Sequence, residues 1–382
     1  MRAPGDVTVR RVGDRKSLKQ FIRLPAAIYR EDPAWVQPLM AERLELLDKG
    51  RNPYFAHAEA EYWIAWRDGV PVGRISAQID RLVEETRGER IGHFGMFECI
   101  DDAAVAEALF ATVQAWLEER ACSCIEGPYN LSINGEIGLL VDGFDTPPTL
   151  MMGHARPYYG RLVEAQGFAK AKDVFAYELD LLKGPPARIT RFVEASRRNP
   201  GYRLHEIDMR RYDEELETVI DIFNDAWSDN WGFVPLTRAE ARHMAKEIRP
   251  LIDNKCVQIC YYKGEPMAMM VALYDLNSLI ADLEGRLLPF GWLKLLWRLK
   301  VRYPERFRVP LMGVRKAHQN TRQGAAMALL LIEAIRQACV ARGARWGELS
   351  WILEDNEGMR SILDEIGCRI YKTYRIYRKG LA

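Results

Sequence analysis

VRKAHQNTRQGAA, residues 314–326, leads from a β-rich stretch, VPLMGVRKA, into a long apolar periodic segment, AAMALLLIEAIRQACVARG. A turn at such a junction leaves the first amide N–H groups of the helix without partners, and the helix dipole adds partial positive charge beside them. That combination suits a phosphate. Gly324 stands where a side chain would hold a pyrophosphate away, and Arg315, Lys316 and Arg322 supply positive charge nearby. An ordinary strand-to-helix turn has the same composition, so the loop takes its meaning from its surroundings.

About thirty residues downstream, the strand pattern WGELSWIL ends in LEDN and runs into a short helix, NEGMRSILDEIGC. The same order occurs upstream. IGHFGMFECI reads as a strand, AAVAEALFATVQAWLEERA as a long helix, CIEGPY as a strand and PYYGRLVEAQGF as a short helix. The two short helices end at Gly167 and Gly367, 200 residues apart. Hairpin signals at Asp68-Gly69 and Lys263-Gly264 precede the two blocks. An internal duplication follows, with one half over residues 1–182 and the other over 201–382. The Pro- and Arg-rich stretch 183–200 reads as a linker carrying a short helix. The second half also carries an insertion, 285–308.

A chain of 382 residues fits two domains. Lys plus Arg number 54 against 53 Asp plus Glu, and the resulting +1 argues against nucleic acid as a partner. Seven cysteines without a CxxC pair read as reduced core thiols, fitting a cytoplasmic protein. MRAPGDVTVRR lacks the apolar core of a signal peptide, and no run of about 18 apolar residues is expected to span a bilayer. Six histidines without HExxH or paired ligand spacing give no metal site.

Thr321-Arg322-Gln323-Gly324-Ala325-Ala326 resembles the coenzyme A loop of the GNAT superfamily, Arg/Gln-x-x-Gly-x-Gly/Ala. Asn356, Ile362 and Gly367 match a second GNAT signature, Asn-x-x-Ala-x-x-Leu-Tyr-x-x-x-Gly-Phe, which PYYGRLVEAQGF also follows. The resemblance implies a tandem GNAT fold, an α/β architecture with a mixed, splayed sheet in each half. It implies acyl-CoA as co-substrate, with no tightly bound cofactor. Val314, Arg315, Arg322, Gln323, Gly324, Ala325, Ala326 and Asn356 are then the residues that hold acyl-CoA, and a strand N–H near Gly313 and Val314 meets the oxyanion. Two departures stand out. Thr321 replaces the first basic or amide residue, and Leu363 and Val163 replace the tyrosine that in the family often protonates the departing thiolate, so a different acid or water serves here. In the first half the matching turn carries Asp101 and Asp102, which would repel a pyrophosphate. Acyl-CoA is therefore expected in the second half, with the first as substrate side or scaffold.

Amide formation needs the amine deprotonated, hence a base or water chain. Glu348 and Glu354 lie six apart on the strand before the short helix, on one face, and Trp346 and Trp351 would shield such a carboxylate from water. Each reads equally as a surface or capping group. His318, at the mouth of the loop, reads as a proton relay or phosphate ligand, or as an exposed loop histidine. For the second substrate, Asn130, Asn134 and Glu136 occur in the glycine-rich loop 126–148, and Trp227, Trp231 and Phe233 in NDAWSDNWGFVPL. Both segments also fit loops closed by their own side chains. Within the insertion, a helix would set Lys294, Arg298 and Arg302 as a basic stripe beside a broad apolar face. That pattern suits a peripheral membrane contact through 289–302, or a buried cover helix.

Over nearly the whole chain, FIRLPAAIYREDPAWVQPL, NWGFVP, ELSWILEDN and YRIYRK resemble the YghO-like GNAT group, which includes bacterial ceramide synthases. What this implies is N-acylation of a long-chain sphingoid base, a lipid amine, by fatty acyl-CoA at the cytoplasmic face of the inner membrane. Two other classes remain open: an N-acetyltransferase for a soluble amine or protein lysine, and a non-catalytic acyl-CoA-binding module.

Overall fold

Two hairpins set the sheets. At Asp68-Gly69 (φ 50° and 76°) and Lys263-Gly264 (φ 52° and 93°) both central residues are left-handed, the two-residue turn whose twist matches its strands. The computed structural model describes residues 5–301 and 303–381. In chain order its strands are β1 (Thr8–Arg11), β2 (Ala58–Arg67), β3 (Val70–Asp80), β4 (Ile91–Cys99), β5 (Cys124–Gly127), β6 (Tyr129–Asn130), β7 (Glu136–Ile137), β8 (Leu139–Asp142), β9 (Ala169–Asp180), β10 (Tyr202–Glu206), β11 (Val257–Tyr262), β12 (Glu265–Tyr274), β13 (Arg306–Val314), β14 (Trp346–Leu353) and β15 (Arg369–Gly380). The helices that matter below are α1 (Ala103–Glu118), α2 (Tyr159–Glu164), α3 (Ala187–Arg197), α4 (Tyr212–Trp227), α5 (Gly291–Lys300), α6 (Arg322–Ala341) and α7 (Glu357–Glu365).

The chain forms two compact units. The first comprises Met1–Val174, Ile280–Arg286 and Lys372–Ala382, and the second Phe175–Leu279 and Leu287–Tyr371. In the first unit β1, β2, β3 and β4 pair antiparallel in order, α1 crosses over, and β5 joins β4 in parallel. Residues 377–380 of β15 then pair antiparallel with β5. The second unit repeats the plan: β10, β11, β12 and β13 are antiparallel in order, α6 crosses over, and β14 joins β13 in parallel. The expected mixed α/β architecture in two similar halves is present.

Both units share a finer feature. Leu273↔Arg308 and Val271↔Leu311 set three residues of β13 against two of β12, and Ser76↔Gly95 and Arg74↔Glu98 do the same for β4 against β3. Each is a bulge on the last antiparallel strand, just before the parallel step, and it reverses which residues face which side.

Three expectations change. Stretch 183–200 is not a free linker, because α3 buries Ile189 and Val193 in the core of the second unit. The closing strand of the first half, β9, gives residues 175–180 to the second unit, and β15 gives 372–380 to the first. Finally, α6, at 20 residues, is long and apolar enough to cross a bilayer by length and composition. It is instead a core helix, with Met327, Leu330, Leu331 and Ile335 at 2% exposure or less. Its end is a Schellman turn: Gly343 (φ 92°) donates to Val340 and Ala344 to Cys339. All seven cysteines are buried.

Candidate active site

The second unit opens where β13 and β14 part. They pair from Arg306↔Trp346 to Val309↔Leu349 and no further, and the next residue of β13, Pro310, has no N–H to offer. Beyond the bulge, Arg315 N–H donates to Met267 on the β12 side, whereas the carbonyls of Met312 and Val314 are taken by Trp227 Nε1 and Gln319 Nε2. Strand amides alternate in direction, so those of Met312 and Val314 point at the opening and that of Gly313 points away. Of the two amides named from the sequence, that of Val314 therefore faces the opening and that of Gly313 does not.

The turn after β13 is where the sequence puts the anion site. Thr321 caps α6, its Oγ1 accepting from Gly324 N–H at 3.1 Å. The amides of Arg322 and Gln323 have no acceptor among the described residues, and both side chains are exposed. Gly324 is required for a different reason from the one expected. A Cβ there would lie 2.1 Å from the His318 carbonyl oxygen, so the turn's own backbone demands glycine. Replacing Gly324 by Ala should open the turn and raise KM for acyl-CoA roughly tenfold, the loss of about one charge-assisted hydrogen bond, which coenzyme A titration would read directly.

Two of the expected cations are already engaged: Arg315 Nη2 with Asp221 and Lys316 Nζ with Asp229, each at 2.5 Å. Both aspartates are largely exposed, and such pairs exchange readily for a phosphate. Arg322 has no acidic partner among the described residues. Ala325 and Ala326 are the next helical residues, Ala326 in the core. Asn356 caps α7 through Met359 N–H at 3.1 Å, a structural role. Leu363 and Val163, which replace the family's tyrosine, are fully buried.

At the point of parting lies Glu348, completely buried. Phe307 and Leu349 turn into the core under α6, so Arg308, Glu348 and Ser350 face the opposite side of the sheet. Ser350 Oγ donates to Glu348 Oε1 at 2.5 Å, Tyr371 Oη donates to Oε2, and Arg308 Nε lies 3.7 Å from Oε1 while donating to Ser350 Oγ at 3.0 Å. Two hydroxyl donors and a nearby guanidinium fix where both carboxylate oxygens point. Tyr371 is only half-buried, so it connects this carboxylate toward the outside. Arg308, Ser350 and Tyr371 are not among the residues the sequence singles out; Arg308 meets Glu348 only through the parallel register of β13 and β14.

Other expected residues fall elsewhere. β14 ends at Leu353, so Glu354 lies in the turn and not on the strand beside Glu348. The indole of Trp346 donates to Glu178, and the Arg308 guanidinium lies 5.2 Å from the Trp351 ring, so neither tryptophan is a plain apolar shield. The His318 ring meets Tyr262 edge-on at 5.3 Å, and its carbonyl accepts from Thr321 Oγ1 at 2.6 Å. It shapes the turn, and no hydrogen bond joins it to Glu348. Trp227 reaches the edge of the opening through its 3.0 Å bond to Met312, and Phe223 holds Trp227 and Phe233 at 4.9 and 6.1 Å. Asn224 closes the loop that carries Trp231 and Phe233 by bonding Leu236 twice.

In the first unit the equivalent opening is filled. Asn130 Oδ1 accepts from Met96 N–H at 2.8 Å, its Nδ2 donates to Glu136 at 2.7 Å, and Arg43 pairs with Glu136. Burial alone would raise the Glu136 carboxyl, but Arg43 and Asn130 hold it below the usual carboxylate range. A Cβ on Gly95 would meet the Tyr129 carbonyl oxygen at 1.8 Å. The helix start is closed too: Asp102 caps Ala104 and Val105, and the Arg67 guanidinium keeps its carboxyl low. Asn130 and Glu136 therefore hold the loop together, and Asn134 is tied within it to Ser132.

No family model matches the chain. Among proteins of known sequence, it is 46% identical over 377 residues to the bacterial ceramide synthase of Caulobacter vibrioides, covering 98% of both chains. It is 43% identical over 376 residues to protein YghO of Escherichia coli, covering 98% of this chain and 95% of that one. Among solved structures, a tandem GNAT protein from the clavulanic acid biosynthesis pathway matches at TM-score 0.55 and 13% identity over 98% of both chains. A GCN5-related N-acetyltransferase from Sphaerobacter thermophilus matches at TM-score 0.52 and 13% identity, over 98% of this chain and 95% of that one. At these identities the structures speak for the fold.

Proposed function

The chain belongs to the family of the bacterial ceramide synthase and YghO, and on that premise we propose that it transfers a fatty acyl group from acyl-CoA to the amine of a long-chain sphingoid base. The observation that carries this reading is the contrast between the units. The second leaves its strand opening and the first amides of α6 available beside a buried carboxylate, whereas the first fills both with its own Asn130 and Asp102.

Acyl-CoA then occupies the second unit, its phosphates at the Arg322 and Gln323 amides and its thioester in the opening. Val314 N–H polarises the thioester carbonyl. The ammonium gives up its first proton to water as it enters the site. The neutral amine nitrogen attacks the carbonyl carbon, its second proton passes through the Tyr371 hydroxyl to Glu348, the C–S bond breaks, and the same relay hands that proton to the departing thiolate. Tyr371 thereby takes a role the signature helix cannot fill, since Leu363 lies in the core. Arg308 and Ser350 hold Glu348 in its orientation. On this reading the reaction would run at the cytoplasmic face of the inner membrane, where a lipid amine is met.

Incubation with sphinganine and palmitoyl-CoA should yield the amide and free coenzyme A in equal amounts. Turnover confined to acetyl-CoA and water-soluble amines would favour the acetyltransferase reading, and coenzyme A binding without turnover the non-catalytic one.

A further inference from the structure

Eight of the eleven exposed large hydrophobic side chains among the described residues lie between Leu288 and Tyr303. Leu288 and Phe290 are 78% and 73% exposed, and on α5 Trp292, Leu293, Leu296 and Trp297 are each 47–51% exposed. At 100° per residue these four fall within one arc of α5, whereas Leu295, Arg298 and Leu299 on the other side are half-buried. The helix therefore presents its apolar face outward, the reverse of a surface helix on a globular core. This sets aside the buried cover helix as an account of the insertion.

Charge decides what covers that face. Between Leu287 and Pro304 the sequence holds Lys294, Arg298, Lys300 and Arg302 and no acidic residue; Arg302 and the side chain of Lys300 lie outside the described residues. Lys294 is exposed at one flank of the apolar arc, and Arg298 beside it donates to the Leu279 carbonyl. A two-fold contact with a second copy would set these cations against themselves, which is unfavourable. A surface of anionic lipid satisfies both halves of the pattern: phosphates meet the cations, and paired tryptophans with leucines enter the headgroup and acyl boundary.

We propose that residues 288–301 together with Tyr303 form a docking face for an anionic bilayer, seating α5 in the membrane plane and giving the second unit access to a lipid amine. The proposal rests on the lipid-amine reading only for its purpose; its physical content is vesicle binding.

The full chain should co-sediment with vesicles of equal parts phosphatidylglycerol and phosphatidylcholine, with a blue shift in tryptophan emission, and roughly tenfold less with phosphatidylcholine alone. High salt should weaken binding, and Lys294→Gln should weaken it about fivefold. The pair Trp292→Ser and Trp297→Ser, both exposed and so compatible with folding, should lower vesicle affinity roughly tenfold or more. Acylation of a short-chain amine by short-chain acyl-CoA in free solution should be unchanged in that variant. Wild-type protein that ignores anionic vesicles, or a double variant that binds them as well as wild type, overturns the proposal even if sphinganine is acylated. A dimer that the tryptophan pair dissociates, without vesicle binding, would assign the face to a second copy instead. Failure to acylate sphinganine while vesicles are still bound would count against the function alone.

Discussion

Replacing Glu348 by glutamine should lower kcat/KM by about 10²–10⁴-fold, the range for removing a positioned proton acceptor, while acyl-CoA still binds. The carboxylate is completely buried, takes hydrogen bonds from Ser350 and Tyr371, and has Arg308 Nε at 3.7 Å. Glutamine keeps the volume but removes the charge that receives the proton. Tyr371→Phe should keep that charge and cut its link to the substrate, giving a smaller loss in kcat with KM little changed. Glu354→Gln, in the turn beyond β14, should leave the rate nearly unaltered. A purely structural Glu348 would show itself differently: a lower melting temperature and normal turnover per folded molecule. Measuring coenzyme A release and thermal unfolding on the same three variants separates the two, and normal kcat/KM in Glu348→Gln would remove this residue from the mechanism.

Glu126→Ala should destabilise the first unit by about 3–5 kcal/mol, the usual cost of leaving a buried charge without its partner. Glu126 is fully buried on β5 and accepts from Arg87 at 2.7 and 3.2 Å, from Arg378 at 3.3 Å and from the Tyr129 hydroxyl at 3.3 Å. Arg378 belongs to β15, so the glutamate also fastens that strand at its pairing with β5. Denaturant melts of wild type and variant give the difference; a change below about 1 kcal/mol would mean the arginines find water when the carboxylate is gone.

The halves of the duplication were legible because their signals are local: Asp-Gly and Lys-Gly turns, two long apolar helices, and glycines 200 residues apart. The phosphate turn was legible for the same reason. What escaped depends on pairing at a distance. Nothing near Glu348 in sequence marks Arg308 as its neighbour across the parallel strands or Tyr371 as its hydrogen-bond donor. The need for glycine at 324 is legible in the sequence and the His318 carbonyl is not, because a glycine that admits a ligand and one that admits a carbonyl oxygen look alike until the backbone is seen. The stretch 183–200 looked like a linker because prolines and arginines dominate it, although Ile189 and Val193, four apart, are enough to dock one helical turn. Asn130 and Glu136 drew attention as polar residues in a loop, and they serve that loop.

The allocation of β15 has a consequence for how the protein is made. Because residues 377–380 complete the pairing of β5, the first unit cannot finish its sheet until those residues, about 250 positions after β5, have left the ribosome. During synthesis β5 stays a bare edge, open to pairing with another nascent chain. A chain stopped after Tyr371 would keep that edge for good.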